Sequence, residues 1–340
     1  MKRRPPEDRD TLVDAKKTRL GVGSKTPDVE DAVVLVGKVI GGYLVEQEIG
    51  AGAMGAVYRA THVDTNRVVA LKSLHAHHLS EATTVERFRR EARLASRLGH
   101  PHIGGVIELV QSEEGRYLIA LELVEGEPLS EIMTMPLPPE RVRLIAGQLL
   151  RGLEHAHAMG LIHRDLKPDN VLVEWRNGRD HARIVDFGIA IVREGSADSV
   201  ERLTATGQII GTPMYMAPEQ AKGETIDQRA DLFSLGVIVY EMIAGILPFE
   251  GRPIEILTAM LKRDPPPFAE RVPDLIVEPL LELFCRKLMA RDLAHRFENA
   301  RHALHVLKLI ETDPEAAGPA LGIMAVDKAL AVVSLPPPKA

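Results

Sequence analysis

His163-Arg164-Asp165-Leu166-Lys167-Pro168-Asp169-Asn170 is the stretch whose reading decides the fold. Asp165 has the chemistry to orient a hydroxyl group and receive its proton. Lys167 can offset the charge spread over a phosphoryl group in transfer, which needs nearby cations rather than a covalent nucleophile. Asn170 offers an amide oxygen to a metal ion, and Asp186, in Asp186-Phe187-Gly188, supplies a second oxygen ligand. Magnesium prefers oxygen donors and keeps part of its water, so one Asp and one Asn plus phosphates suffice; manganese is an alternative ion.

Upstream lies Gly50-Ala51-Gly52-Ala53-Met54-Gly55-Ala56-Val57, a glycine-rich turn between two expected strands. Backbone without Cβ atoms can approach phosphates and present N–H groups to them. A generic tight turn fits the same string. A dinucleotide-binding turn would need a helix after the third glycine, whereas Ala56-Val57-Tyr58-Arg59 reads as a strand. No Gly-Lys-Ser/Thr closes the glycines as a Walker-type loop would. Val69-Ala70-Leu71-Lys72 ends an apolar strand on a cation, which is either a surface lysine or a ligand for the α- and β-phosphates of ATP. Glu91 falls on the apolar stripe of an expected helix over 84–98, together with Val85, Phe88, Ala92, Ala95 and Leu98. A carboxylate facing a core is costly unless paired, and Lys72 is the cation on offer. Ala217-Pro218-Glu219 stands downstream. The order and spacing of these strings specify one phosphoryl-transfer site, which none of them does alone.

Around the strings the hydrophobic pattern divides the chain. Residues 1–40 are polar and charged and read as a flexible arm, with order expected from Gly41. Short strands are expected at 43–49, 56–60 and 68–72, then a hairpin at 105–111 and 116–124. Val142, Ile145, Leu149, Leu153 and Ala156 share one face of a long helix, and 231–245 is an almost wholly apolar helix central to a large lobe. Strands at 171–173 and 182–185 flank the turn Trp175–Asp180, and further helices are expected at 253–262, 277–289 and 298–311. The expected architecture is α+β and bilobal: a small β-rich lobe over about 42–124 with one main helix, a short strap, and a larger, mainly helical lobe over about 127–312. Residues 313–340 read as a flexible tail: a linker, a partner-docking segment or disorder.

Composition narrows the classes further. A net charge of −6 lacks the basic excess usual for nucleic-acid binding, so no nucleic-acid partner is expected. No segment is apolar enough for a membrane span, and the charged N-terminus lacks the apolar core of a secretory signal. The single cysteine, Cys285, excludes an intrachain disulfide and suits a reducing, cytoplasmic setting. Its neighbours place it in a core as a small hydrophobe, with a redox switch as the other reading. His75, His77 and His78 read as a solvated loop, a metal site being the alternative. His163 is expected to pack on Phe187 rather than act as a base.

The chain resembles a eukaryotic-type (Hanks-type) serine/threonine protein kinase of the bacterial kind over residues 40–312. The phrases GAGAMGAVY, HRDLKPDN, DFGIA and GTPMYMAPEQ carry the likeness. It implies a protein-kinase-like fold and transfer of the ATP γ-phosphoryl group to Ser/Thr hydroxyls of proteins, with autophosphorylation through self-association. It also implies further roles. Thr212 contacts the catalytic Asp and Lys. Leu121 is the gatekeeper, and Glu122 and Val124 belong to the hinge that meets adenine. Val57, Ala70 and Leu172 sandwich the ring. Asp231 braces the catalytic loop, and Glu219 pairs with Arg296. Arg164 beside Asp165 implies control by phosphorylation of Thr204 or Thr206, which otherwise are ordinary polar loop residues. Ile191 stands where many regulated relatives of this kind carry a basic residue, with Arg193 and Arg87 as substitutes. A scaffold that binds ATP or partners without turnover, and a small-molecule kinase, are the other functional readings. The complete set Lys72, Glu91, Asp165, Asn170 and Asp186 speaks against the first. Thr212 and the Ala217–Glu219 segment speak against the second.

Overall fold

The computed structural model describes residues 35–52, 55–73, 89–90, 92–113, 115–187 and 213–322. From Val36 onward they form one bilobal unit. The small lobe is a six-stranded antiparallel sheet of β1 (Val39–Ile40), β2 (Tyr43–Gly52), β3 (Gly55–His62), β4 (Val68–Ser73), β5 (Val106–Gln111) and β6 (Tyr117–Glu122). Its order is β1-β2-β3-β4-β6-β5. Alternation of apolar residues drives it: Val45, Ala60, Val69, Leu71, Leu118 and Ala120 are buried on one side or the other of the pleat. Residues 89–90 and 92–95 are helical. The first strand precedes the expected onset at Gly41, because Val39 and Ile40 turn through Gly41-Gly42 to pair with Leu44 and Tyr43. Residues 39–40 therefore belong to the sheet and not to the arm.

The large lobe begins with β7 (Glu127–Pro128), which joins β8 (Val171–Arg176) and β9 (Arg179–Ile184) in a three-stranded sheet. β8 and β9 extend to the turn itself, further than the sequence pattern implied. Asn177 and Gly178 both take positive φ, 50° and 76°, as a two-residue hairpin turn requires, so the strands stay paired up to Arg176 and Arg179.

The helices are α1 (Pro139–Ala158), α2 (Arg229–Ala244), α3 (Pro253–Lys262), α4 (Pro279–Leu288), α5 (Ala300–Thr312) and α6 (Pro314–Ala320), with short turns between. Val142, Ile145, Leu149, Leu153 and Ala156 of α1 are fully buried, as their spacing predicted. Gln148 fastens α1 to β9: its amide oxygen accepts Ala182 N–H at 2.7 Å and its Nε2 donates to the Asp180 carbonyl at 2.9 Å. α2 is buried on nearly every side, so the core of the large lobe is built around it. Cys285 is buried on α4 against the Gly236 carbonyl, and burial pushes its thiol pKa up, which favours packing over thiolate chemistry. No described helix is long and apolar enough to cross a membrane.

The stretch from 313, expected to be part of a flexible tail, is helical over Pro314–Ala320. Asp313 caps α6 by accepting Ala316 N–H at 3.1 Å, Pro314 opens it, and Ala317 is buried. Cap and first-turn proline start the helix, while Lys287 donates to the Ala320 carbonyl at 2.7 Å and holds its end. Its shortness and the internal Pro319 hid it from pattern reading.

Candidate active site

The loop 163–170 joins the end of α1 to β8, and one buried acid holds it. Asp231, in the first turn of α2, is fully buried. Its Oδ1 accepts Arg164 N–H at 2.8 Å, and its Oδ2 accepts His163 N–H at 2.8 Å and the Nε2 of His157 at 2.8 Å. Burial pushes its pKa up, but the bond and charge of His157 and the contacts from His163 hold it below the usual carboxylate range. Arg164 takes φ of 65°, a left-handed conformation that persists only where neighbours impose it. Gln220 adds a further restraint, donating to the Arg164 carbonyl at 2.8 Å. The His163 ring meets the Val185 carbonyl at 2.9 Å through Nε2 and sits edge-on to Phe187 at 4.7 Å, the packing expected of it.

This clamped loop carries the chemistry-bearing groups. Lys167 Nζ is 3.9 Å from Asp165 Oδ2, and Asn170 Nδ2 donates to the Asp165 carbonyl at 2.8 Å. Val185 N–H donates to the Asn170 carbonyl at 2.9 Å, which sets the two residues after β9, Val185 and Asp186, beside the loop. Asp186, too, has φ of 65°. From the other lobe, Lys72 on β4 donates to Asp186 Oδ2 at 2.7 Å. Lys72 is buried, so a surface-lysine role is excluded. Strands β4, β8 and β9 and the loop thus bring Lys72, Asp165, Lys167, Asn170 and Asp186 to one place.

Above them the register of β2 against β3 sets Gly50 opposite Val57, Ala51 opposite Ala56 and Gly52 opposite Gly55. β3 in turn sets Val57 opposite Lys72, and β4 sets Ala70 opposite Leu121 and Val69 opposite Glu122. Ala70, Leu121 and Val124 are buried, and Val57 packs against the same core. Leu172 lies on β8 opposite Pro128. Glu91, Thr204, Thr206 and Thr212 lie outside the described residues, as do Gly188, Ile191, Arg193, Arg87 and the histidines at 75, 77 and 78.

Away from the loop, Glu219 and Arg296 meet as the resemblance implied. Arg296 Nη1 donates to Oε1 at 2.7 Å and Nη2 to Oε2 at 3.2 Å, with both side chains all but inaccessible to water. Three contributors escaped the sequence reading: His157, Gln220 and Arg183. Arg183 was the most visible of them, a charged residue in the otherwise apolar run Ala182–Val185, where burial demands a partner. That partner is Glu122, whose carboxyl the Arg183 guanidinium holds below the usual range against the effect of burial.

Residues 43–306 match the model of a family described as "Protein kinase domain". Over 277 residues the chain is 43% identical to serine/threonine-protein kinase pkn3 of Myxococcus xanthus, covering 80% of this chain and 50% of that protein. It is 34% identical over 271 residues to serine/threonine-protein kinase PrkC of Bacillus subtilis, covering 78% of this chain and 40% of that protein. The crystal structure of the PknI kinase domain of Mycobacterium tuberculosis superimposes with a TM-score of 0.64 at 27% identity, covering 82% of this chain and all of that one. The chain spans half or less of the length of the curated relatives it matches.

Proposed function

The chain belongs to the protein kinase domain family, and from that premise we propose that it transfers the γ-phosphoryl group of ATP to serine and threonine hydroxyls of proteins, its own chain included. The observation that carries the proposal is the meeting of Lys72 with Asp186 at 2.7 Å directly beside the loop that holds Asp165, Lys167 and Asn170. Gly50, Ala51, Gly52 and Gly55 lie on the strand pair that would cover the phosphates, with backbone N–H groups as donors. Val57, Ala70 and Leu172 would enclose the adenine ring, and the backbone at Glu122 and Val124 would meet its edge.

The oxygen donors Asn170 and Asp186 fit magnesium. Asn170 commits its Nδ2 to the Asp165 carbonyl, which leaves the amide oxygen as its acceptor for a cation. Among the described residues no cluster of three or more His, Cys, Asp or Glu side chains could hold a metal by itself, so the remaining ligands would be phosphate oxygens and water. When bound, the ion supplies charge neutralisation between phosphate oxygens.

The side chains divide the remaining work. The Lys72 ammonium orients the α- and β-phosphates. Asp165 accepts a hydrogen bond from the acceptor hydroxyl and takes its proton as the new O–P bond forms and the bond from the γ-phosphorus to the bridging oxygen of ATP breaks, leaving ADP. Lys167 offsets charge on the transferring oxygens, where a preorganised cation is worth more than in water. Glu91 would hold Lys72, and Thr212 would contact Asp165 and Lys167. Phosphorylation of Thr204 or Thr206, with Arg164 as the phosphate's partner, would regulate the site.

Incubating the purified chain with γ-labelled ATP and magnesium, alone and with cell extract, and then mapping the labelled positions, tests the proposal. Label on serine and threonine is the expected result. Binding of ATP without label on any protein would instead mark a scaffold.

A further inference from the structure

Arg183 stands on β9 three positions before Asp186, and its side chain is almost fully buried. Its guanidinium reaches into the small lobe. Nη1 donates to Glu122 Oε1 at 2.7 Å, and Nη2 donates to Glu122 Oε2 at 2.5 Å and to the Ile103 carbonyl at 2.9 Å. Glu122 Oε2 also accepts Gly105 N–H at 3.2 Å. One guanidinium therefore grips the end of β6 and the segment leading into β5.

The placement of that grip matters. Glu122 is the last residue of β6, and β6 pairs with β4, Val69 opposite Glu122 and Lys72 opposite Ile119. β9 runs on through Val185 to Asp186. Arg183 thus ties the strand that delivers Asp186 to the neighbour of the strand that delivers Lys72. Beside it the lobes share a backbone seam: Gly104 N–H donates to the Ile184 carbonyl at 2.8 Å and Ile184 N–H to the His102 carbonyl at 2.9 Å. The fork extends this seam to the hinge. Charge-assisted, forked bonds of this kind fix geometry as well as adding attraction.

We propose that Arg183 is a positioning residue: by clamping Glu122 and Ile103 it holds the hinge at 122–124 and the Lys72–Asp186 pair in the arrangement that binds nucleotide. The assignment rests on the reading of the cleft as an ATP site. Opening of the small lobe away from β9 must break the fork, so loss of the fork frees the hinge and weakens nucleotide binding without touching the acceptor-protein side. A lysine keeps the charge but cannot make the fork.

The test is direct binding of ATP and ADP, measured calorimetrically alongside melting temperature and the KM values for ATP and for a protein acceptor. Arg183→Ala should weaken nucleotide Kd by about tenfold and raise the ATP KM in step, with the acceptor KM unchanged. Arg183→Lys should fall between it and the native chain. Glu122→Gln should weaken binding, and adding Arg183→Ala to it should cost less than the two separate losses. A lower melting temperature with nucleotide Kd kept within about twofold would mark a purely structural ion pair and overturn the proposal. Should Arg183→Ala fail to fold, unchanged Kd in both Arg183→Lys and Glu122→Gln overturns it equally. Absence of nucleotide binding by the native chain defeats the ATP-site reading itself and this proposal with it.

Discussion

The loop at 163–170 and the strand pair around Gly50–Val57 are held in opposite ways. The loop hangs from Asp231, a fully buried acid with three donors on its two oxygens, and is gripped again by Gln220. Among the described residues the end of the strand pair is held by backbone pairing: Ala51 is exposed, Ile49 is 45% exposed, and a Cβ built on Gly50 meets nothing within 4 Å. The difference teaches how one site divides its tasks. On the proposed function, a group that takes a proton needs its position fixed to within a hydrogen bond, and a buried charge network does that. On the same proposal, a backbone that wraps phosphates needs side chains out of the way, and that calls for glycine and an open edge.

The largest effects should come from breaking the buried side. Asp231→Ala leaves His163 N–H, Arg164 N–H and the His157 ring without their acceptor, at about 1–3 kcal/mol for each unmade bond, so we expect a stability loss on the order of 5 kcal/mol with collapse of turnover. Urea unfolding followed by circular dichroism checks it. A loss below about 1 kcal/mol would mean the loop is held by something else.

Next in size is the Glu219–Arg296 pair. Either single truncation leaves a buried charge behind and should cost about 3–5 kcal/mol, whereas Glu219→Leu combined with Arg296→Met should cost clearly less than the sum. Additive losses in a double-mutant cycle would contradict the pairing.

A smaller effect concerns pH at the seam between the lobes. Burial pushes the His102 pKa down from 6.5 to about 4, with the neighbouring His181, His100 and Arg151 charges acting in the same sense and the bond to the Ala182 carbonyl opposing. The folded state binds this proton less well than the unfolded one. The stability contribution is therefore whole above about pH 6.5 and is lost as pH falls toward 4. His102→Gln should flatten the decline in unfolding midpoint between those values, and an unchanged slope would remove His102 as its source.

The smallest structural effect belongs to the open edge. Gly50→Ala should shift stability by no more than about 0.5 kcal/mol while weakening nucleotide binding measurably. Gly126, just beyond the hinge, gives the contrast: a Cβ there would stand 3.1 Å from the backbone of Val173, so Gly126→Ala should destabilise the fold more than Gly50→Ala does. Equal melting temperatures for the two would erase the distinction between open and enclosed backbone.

Much of this was legible in the sequence because it was local. The apolar period of α1 and α2, the strand on either side of the glycines, and the Asp and Asn of the loop all sit within short windows. What was not legible depends on partners distant in sequence. Arg183 and Glu122 are separated by 61 positions, and His157 and Asp231 by 74, so no spacing rule joins them. The β8–β9 hairpin was read too short because its strands are polar near the turn, although Asn177-Gly178 marked the turn itself. The helix α6 is not legible in the sequence because about two turns carry too little period.

Phosphoryl transfer and nucleotide binding by Asp165→Asn, measured side by side with the native chain, test the central claim most directly. In the proposed function Asp165 acts on the proton of the acceptor hydroxyl and not on ATP. If it does so, nucleotide Kd should stay within about twofold of native, while kcat falls by about 10²–10⁴-fold. Turnover close to native in that variant would contradict the account.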